Sequence, residues 1–189
     1  MCSDYRLIQR VPAEELFYGL ETPEGMPNFE PRLDIRITDR APIVRLSNTG
    51  ALELIQRRWS WPGPGGKPVY NFRSEGREFR NGRCLILADG FYEFTEHSDP
   101  KSKRKHKWLF TLHHQPWFAI AGLWRNDPSV GEAFTMLTCK PGPDVAPYHN
   151  RSIVVLPSAE WARWLDPATA GRDVLKPLPA GSLTVEQVN

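Results

Sequence analysis

The stretch from Arg83 to Thr138 constrains the fold more than any other part of the chain. Its apolar runs, RCLILADGFYEF, KWLFTL, WFAIAGLW and AFTMLTC, are rich in aromatic and β-branched residues. Polar or Gly-, Asp- and Pro-bearing turns separate them, so they predict an antiparallel meander inside a β-rich domain with a few short helices. After a loop at Cys139 to Tyr148, Ser152 to Leu156 reads as one further buried strand. Ser158 is placed to N-cap a helix that stops before Asp166-Pro167. Glu14 to Tyr18 suggests a short helix. Pro27 to Pro31 and Trp61 to Pro68 read as structured connections, the second a long surface loop. The tail from Leu175 onward predicts a short helix and a strand.

A length of 189 residues with 40% apolar content is enough for one domain, spanning residues 1–189, with a real hydrophobic core. No run of about 18 uncharged apolar residues occurs, and the N-terminus MCSDYRLIQR is polar. Neither a membrane span nor a secretory signal is expected, which points to a cytoplasmic protein. The formal net charge of +2 leaves the partner open. Cys2, Cys84 and Cys139 are odd in number and far apart, so no disulfide framework is expected. His97, His106, His113 and His114 lack ligand spacing with acids or cysteines, so no metal and no cofactor is expected.

Cys2 is the first residue with chemical meaning. Removal of Met1 would leave an amine and a thiol on adjacent carbons. An α-amine has an ordinary pKa of about 8, so a useful fraction is neutral near pH 7, which an exposed Lys cannot match. That amine can attack an aldehyde to give an imine, and the thiol can close onto the imine carbon to form a five-membered thiazolidine. The same thiol, as thiolate, could instead attack an amide. Cysteine at this position is by itself more often an accident, so the reading depends on partners elsewhere.

Several further segments supply them. Met1-Cys2-Ser3-Asp4-Tyr5, Asn71-Phe72-Arg73-Ser74-Glu75, the strand Arg83 to Phe94, Ala121-Gly122-Leu123-Trp124, and His149-Asn150-Arg151-Ser152-Ile153-Val154 occur in this order. Together they resemble the SOS response-associated peptidase, or SRAP, family across most of the chain. The resemblance implies an α+β fold with a β-rich, barrel-like antiparallel core. It also implies covalent capture of abasic sites in single-stranded DNA through Cys2 after autoproteolytic or assisted removal of Met1, by a monomer that associates with the nucleoid when bound to DNA.

The resemblance assigns Glu93 to the N-terminal amine and His149 to opening of the sugar ring. Asn71 would hold the sugar or the Cys2 backbone, and Arg73 and Arg151, with Ser74 beside them, would clamp phosphates. Trp59 and Trp61 match a Trp-bearing segment that can stack on unpaired bases, and Pro31 matches a turn near the cysteine. In isolation each has a plainer role: a cross-strand carboxylate, a capping histidine, a turn asparagine, salt-bridged arginines, core tryptophans. The run Lys101 to Lys107 is a solvated hairpin loop or a phosphate-tracking edge. Asp4 departs from the family's Arg, removing an expected phosphate contact that Arg6 could replace, and Ser152-Ile153 departs from Met-Pro. Two other functions remain open: a thiol peptidase or amidohydrolase, and a non-catalytic single-stranded DNA-binding module.

Overall fold

The computed structural model describes residues 2–10, 12, 19–27, 30–99 and 101–189. Five strands close into a barrel: β3 (Arg40–Leu46), β4 (Leu52–Trp59), β8 (Arg83–Ala88), β11 (Phe118–Asp127) and β12 (Gly131–Cys139). Hydrogen bonding runs β12-β4-β3-β8-β11 and returns from β11 to β12, which leaves no open edge among these five. All pairings are antiparallel except β12 with β4. The six residues of β8 are all buried. Such a strand needs cover on both faces: one faces the barrel interior, and the other lies under helix α1 (Trp161–Leu165), whose Trp164 Nε1 donates to the Cys84 carbonyl at 2.9 Å.

A second sheet runs β15-β10-β9-β1-β2, built from β1 (Asp4–Leu7), β2 (Arg32–Arg36), β9 (Gly90–Glu96), β10 (Lys105–Leu112) and β15 (Leu183–Gln187). The fold is therefore α+β, with a barrel-like β-rich core and few short helices. The expected meander is correct for two hairpins, β9–β10 and β11–β12, and wrong between them. β8 and β9 do not pair, because the chain leaves the barrel at Asp89. The Asp89 carboxylate accepts from Ile8 N, from Gln9 N at 2.7 Å and from Arg6 Nε at 2.6 Å, turning a corner between the sheets. Gly90 follows for a steric reason: a Cβ there would stand 2.8 Å from Leu109 Cδ1 and 3.3 Å from the Phe110 carbonyl.

Other expectations are adjusted. Ser152 to Leu156 is buried throughout but forms two short strands, β13 (Ser152–Ile153) on β12 and β14 (Val155–Leu156) on β11. Val154 joins them, donating to Leu137 and accepting from Ala121. Trp61 to Pro68 is a hairpin, with β5 (Trp61–Pro62) paired to β6 (Pro68–Val69) around a 3₁₀ turn. Ser158 begins a 3₁₀ turn and makes no side-chain cap, since Pro157 holds the cap position. The helix does end at Leu165. The short helix α2 (Gly171–Val174) precedes Leu175, whereas the terminal strand lies where expected. The helix expected at Glu14 to Tyr18 lies outside the described residues.

Candidate active site and nucleic-acid interface

Cys2 is fully buried just ahead of β1, which is held against β9 by the pairs Tyr5↔Phe91 and Arg6↔Gly90. Tyr5 pins this segment to the barrel, its ring meeting that of Trp59 edge-on at 5.2 Å. Two residues grip the Cys2 main chain. Asn71, the first residue of β7 (Asn71–Arg73), donates from Nδ2 to the Cys2 carbonyl at 2.7 Å. Glu93 accepts a hydrogen bond from the Cys2 backbone N–H. The Cys2 Sγ–H donates to the Asp4 carbonyl at 3.2 Å. β7 lies parallel to β12 with Asn71 opposite Met136, so the barrel supplies one half of this grip and the second sheet the other.

Burial sets the electrostatics. Glu93 is 1% exposed, and desolvation lifts its carboxyl to about 7, against the opposing charge of the amino terminus and the Cys2 hydrogen bond. The Cys2 thiol is pushed far above its ordinary value, first by burial and then by the negative charge of Glu93. It is a thiol rather than a thiolate near neutral pH. His149 is pushed down, by burial and then by the charge of the amino terminus, so it is neutral near pH 7. Its Nδ1 lies 3.0 Å from the Arg151 backbone nitrogen and 3.2 Å from the Arg151 carbonyl oxygen, so the Arg151 backbone holds this edge of the ring in either tautomer.

The register of the second sheet carries His149 toward Glu93. Glu93 is paired with Trp108 on β10, so their side chains share a face. The Trp108 ring packs on Tyr148 at 4.7 Å, and Phe110 meets the same ring at 5.3 Å. Tyr148 thus anchors the residue that follows it. Trp108, Tyr148 and Thr138 are participants that motif reading missed; the β9–β10 register was the signal that could have found Trp108.

Thr138 organises the arginines at the end of β12. It pairs with Arg73 of β7 on one side and with Ile153 of β13 on the other. Its carbonyl accepts both the backbone N–H and the hydroxyl of Ser74, at 2.9 and 2.8 Å. Its own hydroxyl accepts from Arg151 Nη2 at 2.9 Å. Arg151 also forms a bidentate pair with Glu75, so its guanidinium is engaged rather than open. Arg73 is exposed. An open groove of about 480 Å³ adjoins these residues, lined by Glu75 and Glu78 as well as Arg77 and Arg172, with Arg172 3.7 Å from Glu78.

Several expected binding residues are not available to a ligand. Trp59 is fully buried and donates from Nε1 to the Tyr70 carbonyl at 2.9 Å, and Trp61 is 6% exposed with the Arg125 guanidinium over its ring. Both are core tryptophans because β4 and β5 turn those faces inward, which corrects their expected role as base-stacking platforms. Ser74 is buried with its hydroxyl committed to Thr138, so it braces β7 and does not reach a phosphate. Pro31 is exposed ahead of β2, while Asn28 and Phe29 of its expected turn lie outside the described residues. Asp4 does not project toward solvent: it is 6% exposed, and its Oδ2 accepts from Lys107 Nζ at 2.7 Å. Arg6 is taken by Asp89 and is not a substitute contact. Lys107 therefore belongs to an internal cluster, while the rest of the basic run from Lys101 forms the exposed end of the β9–β10 hairpin.

Among the described residues no helix is long and apolar enough to cross a membrane. A family model described as SOS response associated peptidase (SRAP) matches residues 1–189. The chain is 26% identical over 212 aligned positions to the abasic site processing protein YoqW of Bacillus subtilis, covering 100% of this chain and 92% of that relative. It is 32% identical over 100 positions to the abasic site processing protein YobE of the same organism, covering 51% of this chain and 44% of that one. Among solved structures, a phage-related protein from Bordetella bronchiseptica superposes with a TM-score of 0.76 at 21% identity, covering 100% of this chain and 94% of the other. A protein from Bacteroides thetaiotaomicron gives 0.72 at 16%, covering 98% and 92%. The order of the motifs, the barrel that assembles them around Cys2 and the match along the whole length agree: the chain belongs to the SOS response associated peptidase family.

Proposed function

We propose that this protein captures abasic sites in single-stranded DNA covalently, through the amine and thiol of Cys2 once Met1 has been removed. The observation that carries the reading is the two-sided grip on Cys2 by Asn71 and Glu93, in a family whose curated relatives are named abasic site processing proteins. Loss of Met1 would convert the nitrogen that now donates to Glu93 into a free amine beside that carboxylate. With a pKa of about 7, Glu93 can take a proton from the ammonium and return it later.

The chemistry closes without a cofactor. An abasic sugar in its open form presents an aldehyde at C1′. Neutral His149 is suited to assist the opening of the hemiacetal. The Cys2 amine adds to the aldehyde carbon, and the carbinolamine loses one water to give an imine. The thiol sulfur then bonds to the imine carbon while its proton passes to the nitrogen, which completes the thiazolidine. The elevated thiol suits this order, because a thiolate is not required until ring closure. Exposed Arg73, with Arg77 in the adjoining groove, can follow the phosphates of the strand.

Incubation of the protein with single-stranded oligonucleotides tests the reading. A denaturation-resistant adduct with abasic DNA, and none with intact DNA, is expected only from protein that mass measurement shows to begin at Cys2. An unchanged yield from protein that retains an N-terminal tag would require a different nucleophile.

A further inference from the structure

An open groove of about 600 Å³ lies at the end of the barrel remote from Cys2. It forms where the β3–β4 turn, the loop preceding β8 and the final turn of β11 converge. β12 measures the separation. Glu132 pairs with Asn126 at the groove, while Met136 stands opposite Asn71, which holds Cys2, four positions on, roughly 13 Å away at the rise of a strand.

The lining is cationic and amide-rich, and it contains no carboxylate among the described residues. Arg80 is exposed and makes no ion pair among the described residues. Arg125 is ion-paired with Asp127 at 2.8 Å through one of its nitrogens and lays its guanidinium across Trp61, 4.4 Å from the ring centroid. Arg83 is buried and spends its donors on the carbonyls of Phe79, Trp164, Asp166 and Thr169, so its charge is held in place by dipoles and not cancelled by a contacting acid. The side chains of Asn48, Asn81 and Asn126 make no hydrogen bond among the described residues and add donors without adding negative charge.

The wall between these groups is rigid. Gly82 has φ +73, its carbonyl accepts from Trp124 N at 2.6 Å, and a Cβ there would stand 2.4 Å from the Trp124 carbonyl. The loop bearing Arg80 and Asn81 is therefore locked to β11, which bears Arg125 and Asn126. Converging guanidinium and amide donors on a fixed concave frame whose lining residues include no carboxylate suit an anion with several acceptor oxygens.

We propose that this groove binds phosphate groups, as a site separate from the one around Cys2. The phosphates could belong to a nucleic-acid strand or to a free phosphate compound, and two probes distinguish these sources. The full chain, labelled with ¹⁵N, is titrated with pyrophosphate and, separately, with an undamaged single-stranded oligonucleotide of roughly twelve residues. Saturable shifts of the Asn48, Asn81, Gly82 and Asn126 amides are expected. Shifts with pyrophosphate alone assign a free compound, and shifts with the oligonucleotide assign a strand.

Arg80→Glu and Asn126→Asp, both at exposed positions, should each weaken the groove response at least about tenfold, since each removes a donor and adds repulsion. The oligonucleotide-induced shifts at Arg73 and Thr138 should keep their midpoint in both variants, which separates this site from the Cys2 reading. If neither probe moves the groove amides, or if both variants respond with unchanged affinity, the site does not exist.

Discussion

Asn71 donates from its carboxamide to the Cys2 carbonyl at 2.7 Å, across 69 positions of sequence. This bond joins the barrel, through β7, to the segment ahead of β1 that bears the candidate nucleophile. The Asn71 Oδ1 is buried and has no hydrogen-bond partner among the described residues, so its amide orientation is set by the bond to Cys2. Asn71→Ala should cost about 1 kcal/mol of stability and slow adduct formation about tenfold, because the Cys2 segment loses one of its two holds. Chemical denaturation beside a crosslinking time course measures both. An unaltered capture rate would reduce Asn71 to a packing residue.

Separating amine from thiol is the task of Cys2→Ser. The variant keeps its α-amine and should form an imine that borohydride traps on abasic DNA. Without reduction it should give no heat-stable adduct, since oxygen closes the five-membered ring far less favourably than sulfur. Durable unreduced adducts from the serine variant would exclude a thiazolidine.

Glu93 makes both rate and stability depend on pH. Its folded pKa of about 7 lies above the ordinary carboxyl value of 4.5, so the folded state binds more protons between those two values. Stability should therefore fall as pH rises from about 4.5 to 7, and the full cost of the buried charge applies above 7. Glu93→Gln should raise the melting temperature by several degrees at pH 8 and hardly at pH 5. Capture by the parent should accelerate through pH 7 as the carboxylate forms. The glutamine variant should be about 10²-fold slower and lack that inflection. Thermal scans and rates at both pH values decide.

Arg73 and Arg151 should respond differently, because only one is already engaged by an acid. Arg73→Ala should flatten the log-log salt dependence of DNA binding by about one unit. Glu75→Gln should steepen it by about one unit, releasing Arg151 from its bidentate pair while Thr138 still holds the guanidinium. Binding isotherms at several salt concentrations provide the slopes. Parallel slopes for the parent and both variants would leave the two arginines as structural elements.

Lys107 bridges Asp4 and Asp34 at 2.7 and 2.6 Å and lies over the Tyr92 ring. Burial lifts the Asp4 carboxyl to about 6 even with the lysine beside it. Lys107→Met would remove the lowering influence and raise it further. The destabilisation, of the order of 3 kcal/mol, should therefore grow as pH increases through 6 and shrink below it. Urea denaturation at pH 5 and pH 8 tests the sign.

Motif order alone pointed to the family, and apolar runs rich in aromatic and β-branched residues, separated by turns, predicted β9–β10 and β11–β12, because local side-chain pattern and short turns are sufficient for a hairpin. Cys2, Asn71, Glu93 and His149 were legible as residues whose types suit aldehyde chemistry. Pattern could not reveal that β8 and β9 separate into different sheets. That outcome depends on Asp89 collecting three donors from the N-terminal segment, a contact about 80 positions away. Nor could it reveal which polar residues are spent inside the protein. Arg6, Ser74, Asp4 and Arg151 have types suited to a surface site, yet each is committed to a partner brought close only by the sheets. The chain's local pattern determined its β-rich composition and its chemical repertoire. Tertiary structure decided which side chains remain available, because burial and long-range pairing set the cost of every charge.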